Sequence, residues 1–258
     1  MNNIESCAQW IFDQRPGKDV RVLDYGCGSG DIVKELRASG VEAYGCDVFY
    51  EGGDYSPTID PRYFDAGIIK RITENTIPFE SSSFELVVNK MVMEHVENLD
   101  DVLIEINRVL KPGGMVLSIF PDKSVWHEGH CGIPFLHWFS KAGRGRVCYA
   151  AAWRALGFGY HKGTKTVMQW SEDFCDWLDK WTYYRTRHEI DTSYSKFFPG
   201  IRHIEDYWLK LRLGRRKSLV TWLPTPTQRL IVQKFSTLVF VAQKPNQVVA
   251  PHFRHGRG

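Results

Sequence analysis

The stretch WHEGHCGIPFLHWF, from Trp126 to Phe139, sets His127, Glu128, His130 and His137 among two tryptophans and two phenylalanines. Residues of these types support three kinds of work. Imidazole nitrogens with a carboxylate bind zinc or magnesium. A neutral imidazole titrates near operating pH and takes a proton from a hydroxyl, which makes His127 and His130 candidate general bases in a pocket walled by Trp126 and Trp138. The third reading is structural, with the histidines satisfied as buried groups beneath the tryptophans. Spacing weighs against the first, because HExH is not the HExxH pattern that sets two ligands one helical turn apart, and the flanking glycines and proline oppose a helix. No metal is therefore expected, while the wall and the structural readings both stand. His127 comes sooner after the preceding strand, so it is the first choice for a base.

Such side chains act only where the elements before them place a reacting partner. The chain has 258 residues, 43% of them hydrophobic, enough to bury the core of one large domain or of one domain with a sizeable insertion. No apolar run approaches the roughly 20 residues of a membrane-spanning helix. The opening MNNIESCAQWIFDQR lacks the basic and apolar regions of a signal peptide, so a cytoplasmic protein is expected. Six cysteines without a CxxC pair read as reduced thiols. Net charge is +3 but uneven: Asp122 to Lys217 holds 17 Lys and Arg against 10 Asp and Glu. That imbalance suits an anionic ligand or surface, with Arg215 and Arg216 in the run RLGRRK as its centre; a solvated charged face explains it as well.

Upstream, VRVLDYGCGSGDIVKEL reads as a strand ending at Asp24, a loop of alternating Gly26, Gly28 and Gly30, and a helix starting near Ile32. Glycines let a ligand approach the backbone at a helix N-terminus. The spacing GxGxG departs from the GxGxxG of dinucleotide sites. A second strand, VEAYGCDV, ends at Asp47 about 20 residues on, where an acidic side chain meets ribose hydroxyls and Val48 the base. A further strand, Phe84 to Asn89, precedes a loop with Glu94 and His95. The helix that follows carries Val102, Leu103, Ile106, Val109 and Leu110 on one stripe, and GGMVLSIF is another strand. Strands alternating with helices predict an α/β fold on a mostly parallel sheet, with the ligand at the strands' carboxyl ends.

The motifs LDYGCGSG, GCDV, IPFESSSFELVVNKMVMEHV and RVLKPGG, in that order, resemble the class I S-adenosylmethionine-dependent methyltransferases, especially the branch with the ubiquinone and menaquinone biosynthetic enzymes. The resemblance implies a Rossmann-like seven-stranded sheet with an antiparallel last strand, for which STLVFVAQKP is the candidate. It implies S-adenosylmethionine as cofactor and S-adenosylhomocysteine as product. Asp24, Gly26, Gly28 and Gly30 would hold the methionine moiety, Asp47 the ribose, Thr73 and Glu74 the adenine edge, and Asn89 the inner face. The amphipathic start (Ile4, Ala8, Ile11, Phe12) is similar to the helix that covers the cofactor in this family, and His95 is read as a local hydrogen-bonding group.

More than a hundred residues separate the strand ending at Phe120 from the closing strand, so an aromatic and helical insertion after the fifth strand is expected. The division is residues 1–121 for the cofactor-binding part, 122–217 for an acceptor-binding insertion, 218–245 for the closing strands and 246–258 for a flexible tail. The chain after the fourth strand, NKMVME, lacks the asparagine-proline-proline-aromatic motif of amino-directed nucleic-acid methyltransferases. The expected reaction is O-methylation of a sugar, glycan or phosphate-bearing hydroxylated acceptor. Two alternatives stand beside it: an RNA methyltransferase using Arg212, Arg215, Arg216 and Lys217 on phosphates, and a cofactor-binding module without turnover that acts through protein contacts.

Overall fold

The computed structural model describes residues 2–14 and 20–246, so most of the expected tail lies outside the described residues. Its strands are β1 (Arg21–Tyr25), β2 (Glu42–Asp47), β3 (Ile69–Arg71), β4 (Phe84–Lys90), β5 (Leu110–Phe120), β6 (His127–Glu128), β7 (Ile133–Pro134), β8 (Gly200–His203) and β9 (Leu238–Gln243). Its α-helices are α1 (Asn3–Gln14), α2 (Asp31–Ala38), α3 (Pro61–Asp65), α4 (Leu99–Val109), α5 (Arg144–Ala155), α6 (Val167–Trp181), α7 (Arg187–Ser195), α8 (Glu205–Leu213) and α9 (Thr225–Phe235).

Seven strands form one sheet in the order β3-β2-β1-β4-β5-β9-β8, with β9 antiparallel to both neighbours. The reversal of strand order beside β1 makes the crevice at the carboxyl ends of β1 and β4 the natural place for a ligand. Because side chains alternate across a strand, each strand feeds both layers. In β9, Val239 and Val241 face α1, α2 and α8, whereas Leu238, Phe240 and Ala242 face α4 and α7. Leu117 and Ile119 of β5 join the first layer and Val116 and Phe120 the second.

A third cluster stands apart from the sheet. Cys131, Ile133 and Leu136 pack with Ala150 of α5 and with Trp170, Cys175 and Leu178 of α6. This is the insertion after the fifth strand, with a core of its own. Its extent differs from the expected 122–217. Ile190 and Tyr194 of α7 are buried against α4, β8 pairs with β9, and Trp208 of α8 packs in the first layer, so α7, β8 and α8 cover or complete the sheet. The expected closing strands at 218–245 also need correction, since that segment holds α9 and β9 while the other closing strand is β8. The short GIRH strand with its single interior-facing end carries too weak an alternation to be seen in sequence.

Candidate active site

Asp24 lies near the carboxyl end of β1, where the chain must turn sharply. Gly26 has φ of 74°, and a Cβ there would fall 2.3 Å from Val92 Cγ2, so only glycine fits. Gly28, at φ of 51°, differs in that its α-carbon faces open space, with Tyr55 the nearest side chain at 3.8 Å. Its N–H donates to Asp47 Oδ2 at 2.8 Å, and Asp47 Oδ1 accepts from the Phe49 N–H at 2.9 Å. One carboxylate thus ties the glycine loop to the end of β2. Gly30 is the N-cap of α2.

These residues open on a cavity of about 970 Å³. Asp24, Gly26, Gly28, Asp47 and Val48 line one side of it, with Ile4 of α1 above. Burial pushes the Asp24 carboxyl up to about 7. The loop-open space at Gly28 and the carboxylate at the end of β2 fit a nucleoside carrying an amino-acid tail. Thr73 and Glu74 are not in the wall; they sit in a tight turn, bridged from Thr73 to Thr76 with Glu74 at φ of 52°, and their neighbours Ile72 and Asn75 line the cavity instead. Asn89 is likewise displaced. It is fully buried, donates to Ser118 Oγ at 3.0 Å, and belongs to a network that reaches the Tyr194 hydroxyl at 2.8 Å. Strand alternation puts it on the α7 face of the sheet and leaves Lys90 to line the cavity.

The opposite wall comes from the insertion and from the loop after β4. Trp177 and Trp181 lie one turn apart on α6 and both face the cavity, as do Tyr50 and Tyr55. A capping box at Thr166 and Gln169 starts that helix. Tyr50 packs at a tilt against Trp181, 4.8 Å between centroids. Among the described residues lining the cavity, Lys90 is the one lysine or arginine.

His95 and His130 meet at this wall, with ring centroids 4.9 Å apart and their Nε2 atoms 3.2 Å apart. His95 Nδ1 lies 2.7 Å from the Trp181 carbonyl, which only accepts, so Nδ1 carries the proton and Nε2 is the acceptor that faces His130 Nε2. Burial lowers the His95 pKa to about 4, keeping the ring neutral. His130 Nδ1 lies 2.6 Å from Glu128 Oε1. Burial opposes charge on His130, but the Glu128 hydrogen bond and charge outweigh it and hold the pKa above the ordinary imidazole value. Glu128 itself is fully buried; against the pull of burial, His130, the Tyr184 hydroxyl at 2.6 Å and the Cys131 N–H at 2.8 Å keep it ionised.

The expected base His127 is elsewhere. Alternation along β6 buries Glu128 and turns His127 outward, where its Nε2 lies 3.3 Å from the Tyr160 hydroxyl. Trp126 and Trp138 are also off the cavity: Trp126 packs on Phe235 at 4.9 Å and Trp138 on Phe135 at 4.7 Å. His137 is buried, and burial lowers its pKa. Arg215 and Arg216 are exposed in a 3₁₀ turn after α8 and do not line the cavity. The HExH metal reading fails in its original form, because Glu128 is spent on His130, Tyr184 and backbone N–H groups. A different trio converges instead. Glu94, His95 and His130 each offer a ligand atom within 4.8 Å of the others, and both Glu94 oxygens are buried with no partner on another of the described residues, so these are the groups that would hold a divalent ion.

A switch-point cavity with an acid at the end of β2 and an antiparallel strand between β5 and β8 defines a class I methyltransferase. The comparisons make it specific: residues 3–197 match the model of the methyltransferase domain family, and the chain belongs to that family, whose cofactor is S-adenosylmethionine. A ubiquinone biosynthesis O-methyltransferase of Maricaulis maris is 29% identical over 109 residues, 42% of this chain and 42% of that protein. A ubiquinone/menaquinone biosynthesis C-methyltransferase of Desulfotalea psychrophila is 26% identical over 188 residues, 70% of each chain. The chain thus covers less than half the length of the O-methyltransferase relative. A solved S-adenosylmethionine-dependent methyltransferase from Mesorhizobium loti shares the fold with a TM-score of 0.53 at 15% identity, over 94% of this chain and 100% of that one.

Proposed function

We propose that this methyltransferase moves a methyl group to a hydroxyl oxygen of a neutral, polyhydroxylated small molecule, a sugar or glycan unit, held between the glycine loop and α6. The observation that carries this reading is the Glu128–His130–His95 chain on the cavity wall. S-adenosylmethionine supplies an electrophilic methyl group when bound. The chain's own residues do the rest by alignment and proton removal. With Nδ1–H donated to Glu128, the neutral His130 ring offers Nε2 to a hydroxyl, and the imidazolium that forms is held by the buried carboxylate, as in other base–carboxylate pairs. His95, its Nδ1–H held by the Trp181 carbonyl, presents the Nε2 lone pair 3.2 Å from His130 Nε2 and accepts a hydrogen bond from the N–H that proton removal creates there.

What lines the wall supports this acceptor class. Trp177, Trp181, Tyr50 and Tyr55 present flat apolar faces that suit the apolar face of a sugar ring, and Glu97, Asn98 and Asp101 offer hydroxyl-binding oxygens. Acidic groups and a single lysine make the wall a poor holder of phosphate, and Arg215 and Arg216 are not there to help. The test is transfer of labelled methyl from S-adenosylmethionine to a panel of neutral sugars and oligosaccharides, sugar phosphates, catechols and RNA. Label in an alkali-stable ether on a neutral sugar is the expected result. Label confined to catechols or RNA, or no turnover to S-adenosylhomocysteine with any acceptor, overturns it.

A further inference from the structure

The basic run after α8, which the cavity does not use, sits in unusual surroundings. No aspartate or glutamate follows Asp206 anywhere in the chain, whereas lysine and arginine recur throughout that part. Lys210 and Arg229 are paired with Asp206, leaving Arg215, Arg216 and Lys217 exposed in the 3₁₀ turn Gly214–Leu219. Large apolar side chains in the segment that follows are left largely in water: Leu219 is 63% exposed, Trp222 76%, and Leu230 on α9 52%. Gln228 and Val232 hold the inner face of α9, so Leu230 on the outer face is not needed for packing.

Two polar side chains of this segment, those of Trp222 and Thr221, are already satisfied at home. Trp222 Nε1 donates to the Leu219 carbonyl at 2.8 Å, and the Thr221 hydroxyl donates to the Ser218 carbonyl at 3.2 Å. An indole whose N–H is already bonded enters an apolar phase without leaving a donor unpaired.

We infer that the segment from Gly214 to Leu230 docks on an anionic lipid bilayer, its arginines and lysine on headgroup phosphates and Leu219, Trp222 and Leu230 in the acyl boundary. Cations beside Trp and Leu are the composition of elements that lie in the interface plane. The same cations could sit on RNA phosphates, but Leu219 and Leu230 have no ring to stack on a base and would stay wet there.

The full chain is floated with vesicles of phosphatidylcholine alone and with vesicles carrying about 30% phosphatidylglycerol, where each basic group near the surface counts. Retention on the anionic vesicles only is expected. It should fall roughly tenfold or more in R215E/R216E, and about tenfold in Leu219→Ser/Trp222→Ser, through lost apolar burial. All four side chains are exposed, so melting temperature and cofactor affinity should stay at wild-type values and confirm folding. Equal binding to both vesicle types, no binding to either, or full retention by the Leu219→Ser/Trp222→Ser variant overturns the inference. So does displacement from the vesicles by an unstructured RNA that the same variant binds like wild type. None of these residues lines the cavity, so failure here leaves the methyl-transfer reading intact, and failure of that reading leaves this one.

Discussion

At the scale of single residues, the proposed base and its neighbours make opposite predictions. His130→Ala should cut the turnover number by roughly 10²- to 10⁴-fold with cofactor affinity unchanged, whereas His127→Ala, its ring directed at Tyr160, should turn over like wild type. A protonated His130 cannot accept a proton, so turnover should rise with pH through its raised pKa, above the ordinary 6.5. Glu128→Gln removes the anion that raises it, so the ascending limb of the pH profile should move to lower pH as the turnover number falls. Wild-type profiles in Glu128→Gln would detach the carboxylate from the chemistry. Asp24 provides a stability test. Its pKa goes up from 3.8 to about 7 on folding, so the stability tied to its protonated form is complete below 3.8 and is lost as pH climbs to about 7. Asp24→Asn should flatten that decline in cofactor-free thermal melts. Added zinc should bind Glu94, His95 and His130 and inhibit, and dialysis against a chelator should leave metal-free turnover unchanged; loss of turnover on chelation would make the trio a required metal site.

At the scale of elements, α6 is the part that, on the proposed reading, turns a nucleotide-type cavity into an acceptor site. Its outer side is fixed by Asp179, which pairs with Arg146 and accepts from the Ala142 N–H, and its inner side presents Trp177 and Trp181. Removing one ring removes binding that ground and transition states share. Trp177→Ala should therefore raise the Michaelis constant for the acceptor about tenfold, with the turnover number at saturation little changed. Trp126→Ala and Trp138→Ala, in the hairpin region on the far side of Phe135, should change neither constant. Steady-state kinetics on the three variants separates the two walls.

At the scale of the whole molecule, the sheet and the glycine loop were readable from sequence, because β1, β2, β4 and β5 are buried strands whose ends carry Asp24, Asp47 and glycines with local steric reasons for being there. The acceptor wall was not. WHEGHCGIPFLHWF is rich in chemistry-bearing types, yet which of them face inward depends on a two-residue strand, and a one-residue shift there exchanges His127 for Glu128. His95 looked local because its partner His130 lies 35 residues away, on an element with its own core. Trp177 and Trp181 did carry a signal, a helical i, i+4 spacing in SEDFCDWLDKW, that aromatic richness at Trp126 and Trp138 outweighed. Since α6 closes the cavity that the loop opens, S-adenosylhomocysteine at about 100 times its dissociation constant should stabilise the fold by roughly 2.7 kcal/mol. Amide exchange should slow in α6 as well as in the glycine loop, and protection limited to the loop would place α6 outside the binding event.

The contact between Tyr50 and Trp181 joins the segment after β2 to the helix of the insertion. The two ligands therefore share one partition. Whatever factor the first contributes to ordering it, the second gains in affinity, and the linkage holds equally in reverse. An acceptor bound against Trp177 and Trp181 must then retain the cofactor as strongly as the cofactor retains it.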